Sequence, residues 1–406
     1  MLTTLCISRD LSVNLSAISQ GQLTVQSPLP TSYILQNRKV LGAICGIIVC
    51  CILIAGLWPF RAPVNRVTWL ADGDGLHFGR QGSILSSGEF GDRSYIDDRG
   101  GTVEIWLRAD SLNSSSGTIL AFYTTAKRFV PFSLRQFKNS LVLQHEVEDQ
   151  RSHLTTKWMG VGHVLRQKEF VLVTITSGAR GTTVYADGLA IEGSSGFRLS
   201  PNDFSGRLLL GNSGVDDDSW AGDVRGLAIY GQGLTSAQVS RHFEDWTKHG
   251  HPEDIATEAA SALYLFNERS GSVVHNQSDA ANALLIPSHY FLLHHRLLRT
   301  PWEAYRRRWS YWKDAAVNVT GFVPLGFFIC AYFSLAKKQG RGVATAIIIG
   351  FLISLTIELL QSLLPTRDSG ATDLITNTLG TGLGAICCQY VLGSRVRHVP
   401  LDGAKI

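Results

Sequence analysis

The sequence predicts a mixed fold, an all-β sandwich joined to an α-helical transmembrane bundle of about four helices. Three observations predict it. The 406 residues, enough for two or three domains, are 45% hydrophobic and only 17% charged, a high apolar share for a purely soluble chain. Four stretches, 40–60, 315–336, 342–357 (continuing past Glu358 to 366) and 374–394, lack formal charge over membrane-spanning length or nearly so. Each approaches the ~20 residues that cross ~30 Å of hydrocarbon as a helix, the third once its single acid is allowed. Residues 61–287 instead break into short alternating or β-branched runs divided by Gly, Asn, Asp and Ser, as a sandwich requires.

Basic residues orient the spans. Arg38 and Lys39 abut the first apolar run, Lys337, Lys338 and Arg341 lie between the second and third, and Arg395 and Arg397 follow the fourth. The positive-inside rule puts these segments and both termini in the cytoplasm of a multi-pass protein of the cell (inner) membrane, and residues 61–314 outside. The first run, 40–60, reads as a retained signal anchor, because its apolar core is long and Leu57-Trp58-Pro59-Phe60 offers no small-residue cleavage site. Residues 1–39 form a polar cytoplasmic tail, read either as disordered or as the product of a misplaced start codon, and 395–406 form a second tail. Residues 288–314 mix Trp302, Tyr305, Trp309, Tyr311 and Trp312 with arginines, which predicts an interfacial amphipathic helix lying among lipid headgroups. The net charge of +4, without a long basic tract, argues against nucleic acid as a partner. No cysteine falls between Phe60 and Tyr311, so the outer domain has neither disulfides nor thiolate metal centres.

Within 61–287, GTVEIWLRAD, GTILAFYTT, NSLVLQHEV, EFVLVTITSG and GDVRGLAIYG read as strands, and Tyr185-Ala186-Asp187-Gly188 as a hairpin turn that tolerates positive φ. LTSAQVSRHFEDW has a Ser/Thr start and apolar residues at helical spacing. The order of VEIWLRAD, GTILAF, VLVTITSGARGTTVYADGLAI and LLLGNSGVDDDSWAGDVRGLAIYGQGLTSAQVSRHF resembles the laminin-G-like, concanavalin A-type jelly roll over about residues 65–250. ALYLFNERSGSVVHNQSDAANALLIP, residues 262–287, reads as an added strand pair. The resemblance implies a module that binds glycan or protein at the cell surface. Some relatives of this fold are glycanases with paired carboxylates on one strand, but no Glu-x-Asp-x-x-Glu run occurs and Glu104 stands alone in its strand. Asp216, Asp217 and Asp218 are candidate calcium ligands, against the simpler reading of a solvated acidic loop; no other cofactor is implied. Trp220 is a candidate to stack on a sugar, against the equally frequent role of packing.

The last three spans carry polar residues at fixed spacing. Ionisable groups in hydrocarbon cost ~2.5 kcal/mol or more, so they persist where they face protein or an aqueous cavity. Glu358 and Gln361 share one helical face, Asp373 and Asn377 another, and the turn LPTRDSG joins them. Asn318, Glu358, Gln361, Arg367, Asp368, Asp373 and Asn377 therefore converge at the outer end of the bundle, and Gly380 with Gly384 lets the last helix pack closely. Asp314-x-x-x-Asn318, Phe322-Val323-Pro324-Leu325-Gly326, Glu358-x-x-Gln361, Arg367, Asp373, Asn377 and Gly380, in that order, resemble the VanZ-like family over about residues 284–393, within a membrane region of 315–394. The resemblance implies a cell-envelope role connected with glycopeptide resistance or polysaccharide biogenesis, with membrane lipid and an envelope glycan or lipid-linked precursor as partners. Two readings of the cluster follow. In one it is a clamp, with Glu358 paired to Arg367 and Gln361 to Asn318 or Asn377. In the other it binds or transforms a lipid-linked substrate, with Glu358 or Asp373 as general base and Arg367 meeting phosphate, although no nucleophile or metal signature accompanies it.

Overall fold

The computed structural model of the chain describes residues 37–91, 100–113, 116–126, 128–148, 154–253, 258, 260–278, 282–294, 297–304, 309–335 and 341–396. The expected tails at 1–36 and 397–406 lie outside the described residues. In chain order the elements are helix α1 (Arg38–Leu57), strands β1 (Val67–Trp69), β2 (Leu76–Phe78), β3 (Ile84–Ser86), β4 (Gly101–Ala109), β5 (Ser116–Thr124), β6 (Phe129–Phe137), β7 (Ser140–Glu148) and β8 (Leu154–Val161). Next come β9 (Val171–Gly178), β10 (Gly181–Ala186), β11 (Leu189–Ser194), β12 (Arg207–Leu210), β13 (Gly222–Tyr230) and α2 (Ser236–His249). The chain finishes with β14 (Ala260–Tyr264), β15 (Val273–Val274), β16 (Leu284–Leu285), α3 (Pro301–Ala304), α4 (Trp309–Ser334), α5 (Gly342–Gln361) and α6 (Ala371–Val396).

The strands form two antiparallel sheets, ordered β1-β2-β13-β4-β9-β10-β11 with β14 beside β13, and β15-β16-β3-β12-β5-β6-β7-β8. The added strands at 260–285 thus complete both sheets, β14 the first and the β15–β16 hairpin the second. Val103, Ile105 and Leu107 of β4 meet Leu120 and Phe122 of β5 and Phe132 and Leu134 of β6 in the core between the sheets. The turn at Asp187 and Gly188 has φ of 50° and 76°, which Asp-Gly supplies at little cost, and it closes β10 onto β11. Helix α2 starts at Thr235, whose hydroxyl accepts from the N–H of Gln238 in a capping box. Its buried face, Val239, His242 and Trp246, covers the outer side of the first sheet, so β4 is buried on both faces.

Helices α1, α4 and α5 are long and apolar enough to cross a membrane. The fourth expected span corresponds to helix α6, 26 residues or about 39 Å long, whose Thr, Gly and Asn content keeps it out of the set apolar enough to cross a membrane. Those small and polar residues face inward. Ile375, Leu379, Leu383, Ile386 and Tyr390, at helical spacing, make an exposed apolar stripe on the opposite side. Two backbones meet closely between α4 and α6: a Cβ at Gly380 would collide with the carbonyl of Val319, one at Gly384 with that of Val323, and one at Gly326 with that of Thr381.

The segment from 288 to 314 departs from the expected interfacial helix. Residues 289–293 run extended along the sandwich, with Tyr290 donating its N–H to Pro63 and Leu293 its N–H to Gly214, and among the described residues of the segment only Pro301–Ala304 and the start of α4 are helical. Its first apolar residues pack on the jelly roll: Tyr290 is buried, and Phe291 and Leu293 cover Leu209 and Val215 on the outer face of the second sheet. Trp302, Trp309 and Trp312 remain exposed.

Candidate functional site

The polar residues of the spans meet at one end of the bundle, where α1 and α5 finish and α4 and α6 begin. Glu358 is buried, and its Oε2 accepts from the N–H of Gly370 at 2.8 Å, the residue before α6. Asn318 of α4 donates to Asp373 at 2.9 Å, and Asn377 donates to the hydroxyl of Ser354 on α5 at 3.0 Å. Asp314, exposed one turn above Asn318, lies close enough to repel Asp373 electrostatically.

The remaining two members serve α1. Gln361 donates to the carbonyl of Gly56 at 2.7 Å, and Arg367 to those of Ala55 at 3.3 Å and Trp58 at 2.6 Å. The pairing of Glu358 with Arg367, and of Gln361 with Asn318 or Asn377, does not form. A helix C-terminus leaves its last carbonyls without intrahelical partners, and a cation or amide donor held against them satisfies both hydrogen bonding and the helix dipole. Sequence spacing gave no sign of this, because the acceptors are backbone atoms about 310 residues away. The network is also incomplete among the described residues: Asn377 Oδ1, Gln361 Oε1, Arg367 Nε and Thr372 Oγ1 are buried without a hydrogen-bond partner.

One missed residue joins this cluster to the sandwich. Arg299 N–H donates to Ser369 O at 3.0 Å and its carbonyl accepts from Ala371 N–H at 2.9 Å, a parallel bridge across Gly370. Its guanidinium reaches the other way, to Asp216 in the loop before β13, with Asp368 3.6 Å from it. Thus the backbone whose N–H caps Glu358 is paired to the residue that holds the jelly roll.

The acidic loop has three separate duties. Asp216 pairs with Arg299, Asp217 accepts from Tyr290 Oη at 3.1 Å, and Asp218 accepts from Arg135 at 2.7 Å, from the Thr118 hydroxyl at 2.5 Å and from the Ser213 N–H and hydroxyl. Burial pushes the Asp217 carboxyl above its ordinary range, against the lowering effect of the Tyr290 hydrogen bond. Among the described residues, ligand atoms gather within 4.8 Å of one another at His77, Asp110 and Asp223 and at Asp245, His249 and Glu253; Asp223 already takes His77 at 2.8 Å and Arg108 at 2.6 Å. Trp220 does not face a ligand. It is buried against Phe78 with its Nε1 donating to Gln136 at 2.7 Å, because β5 and the loop before β13 close over it. Glu104 is not isolated either: fully buried beneath α2, it accepts from Trp246 Nε1 at 3.1 Å and lies 3.0 Å from His242 Nδ1 and 3.3 Å from Tyr230 Oη. Only the packing of α2 on β4 reveals this.

Comparison with known proteins finds two matching families, the first of which also takes in strands β14 to β16 of the sandwich. Residues 259–392 match the family model described as VanZ/LLP1, and residues 85–240 match that of the concanavalin A-like lectin/glucanases superfamily. No curated protein matches the chain. Among solved structures, a candidate carbohydrate binding protein from Bacteroides ovatus is 14% identical over 54% of this chain and 61% of its own, with a TM-score of 0.37. The receptor binding domain of botulinum neurotoxin D is 12% identical over 46% of this chain and 48% of its own, with a TM-score of 0.32. A SAP-like pentraxin from Limulus polyphemus is 15% identical over 57% of this chain and 95% of its own, with a TM-score of 0.32. This chain spans less than two thirds of the first two. The chain thus resembles a VanZ-like region over 259–392 and a concanavalin A-like domain over 85–240, and it carries three helices long and apolar enough to cross a membrane.

Proposed function

We propose that the protein recognises an envelope glycan at the outer membrane face through its lectin-like domain and holds the membrane-proximal part, or a lipid-linked precursor of it, at the polar cluster. The observation that carries this reading is the joint at Arg299, which brings the jelly-roll loop at Asp216 and the Glu358 cap at Gly370 to the two sides of one residue. The unpartnered buried atoms of Asn377, Gln361 and Thr372 support it, since a closed clamp would leave no hydrogen-bonding capacity for a headgroup. A part in polysaccharide biogenesis or glycopeptide resistance accords with both halves.

The test uses the full chain in lipid nanodiscs, sedimented with peptidoglycan and with envelope polysaccharide. Retention on one of these polymers is expected, and retention on neither sinks the proposal. Glu358→Gln then separates the roles of the cluster. A structural clamp loses folded accumulation, a binding site keeps accumulation and loses lipid-linked precursor, and an enzyme keeps both and loses turnover.

A further inference from the structure

Arg225 of β13 differs from the other arginines of the sandwich whose guanidinium is packed. Its guanidinium carbon stands 4.1 Å from the centroid of the Phe170 ring and 5.8 Å from that of Trp106, so two aromatic rings fix it. Yet it makes no hydrogen bond or ion pair among the described residues, and its Nε is buried without a partner. Arg108, stacked on the same Phe170 at 4.5 Å, shows the contrast: its guanidinium is committed to Asp223 at 2.8 and 2.6 Å. A buried Nε without an acceptor costs free energy, and the half-exposed guanidinium keeps its terminal N–H groups free for a ligand.

Arg225 lines a cleft of about 390 Å³ between the β1–β2 loop, the end of α2 and the chain after β14. Trp106 lines it too, and Asn267, Asp72 and His251 stand at its walls. Two aspartates share the cleft: Asp74 pairs with Arg269 at 2.8 Å, and neither it nor Asp72 forms an ion pair with Arg225 among the described residues. This set matches one kind of guest. A planar fork takes a planar bidentate acceptor, an indole takes the apolar face of a pyranose, and short amides and carboxylates take hydroxyls. We infer that this cleft is a subsite for an acidic sugar, with the carboxylate of a uronic-acid-type residue on Arg225 and its ring against Trp106.

The inference rests on the glycan-recognition reading above and names its ligand class and site. The test measures binding of the full chain in nanodiscs to a uronate oligosaccharide, to a sulfated one and to a neutral one of equal length. The wild type should prefer the uronate. Arg225→Gln should weaken uronate binding about tenfold to a hundredfold, leave neutral-sugar binding unchanged and remove the salt dependence. Arg225→Lys, which keeps the charge but not the fork, should fall between the two, and Asn267→Ala should weaken uronate binding without altering the melting temperature. Equal binding of the three oligosaccharides, or a stronger preference for sulfate, overturns the carboxylate subsite while glycan recognition stands. Loss of neutral and acidic binding together in Arg225→Gln, with a lowered melting temperature, shows a structural arginine and also overturns it. Absence of binding to any of the three by the wild type overturns this subsite, while the reading beneath it stands or falls separately on retention of peptidoglycan or envelope polysaccharide.

Discussion

His242 of α2 stands between two carboxylates, Glu104 and Glu258. It is fully buried, with Nδ1 3.0 Å from Glu104 and Nε2 against Glu258. Burial alone would lower its pKa, but the hydrogen bond and charge of Glu104 and the charge of Glu258 outweigh it and hold the imidazole above its ordinary value. A histidine whose folded pKa exceeds the unfolded ~6.5 gives stability that is complete below that value and is lost as pH rises through the folded pKa. Unfolding of the full chain, followed by the fluorescence of buried Trp246, should therefore show decreasing stability on the alkaline side. His242→Gln should flatten that slope and cost about 3–5 kcal/mol near neutrality, because two carboxylates would lose the cation between them. An unchanged pH profile would show the imidazole neutral. Trp220→Ala should cost about 3–5 kcal/mol for a core aromatic while leaving glycan retention per folded molecule intact. Neither role was legible in the sequence. A Glu in a strand and a His in a helix 138 positions apart become partners only when α2 lies down on β4.

At the scale of elements, the α4–α6 contact sets the membrane bundle. These helices run parallel with Gly326, Gly380 and Gly384 at the crossing, and side chains there would enter the neighbouring backbone. Gly384→Val should abolish folded accumulation in detergent, since overpacking by more than a methylene costs at least ~1–3 kcal/mol and the carbonyl of Val323 cannot retreat. Gly382 has only Ile347 carbon atoms at 3.8 Å, so Gly382→Ala should raise the melting temperature, by about 0.5–1 kcal/mol of helix propensity. If both substitutions behave alike, close approach is not what holds α4 to α6. The Gly380/Gly384 pair was readable in the sequence because its spacing is local. The strap at 289–293 was not, because the same mixture of aromatic and basic residues suits a headgroup layer or a sheet face, and only the partners Pro63, Gly214 and Leu209 decide between them.

At the scale of the whole molecule, the sandwich and the bundle communicate through Arg299. Arg299→Ala removes the side-chain tie to Asp216 and keeps the backbone bridge, so amide exchange should rise in the loop around 216 and less at 369–371, read by hydrogen-exchange mass spectrometry. Equal protection in both proteins would show that the Asp216 tie does not order the loop, which Tyr290 then holds through Asp217 within the sandwich. The sequence by itself determined the division into spans and sandwich, the turn at Asp187-Gly188, the capped start of α2 and the set of polar residues at one end of the bundle. Those features follow from local periodicity, φ preference and the cost of charge in hydrocarbon, which act within one or two turns of chain. The tertiary structure alone decided who pairs with whom: Arg367 and Gln361 with the end of α1, Glu358 with Gly370, Glu104 with His242, and Arg225 with two aromatic rings but no hydrogen-bond acceptor for its Nε among the described residues. Partners of that kind are chosen by long-range packing and by which backbone groups a fold leaves unsatisfied, and no spacing along the chain records either.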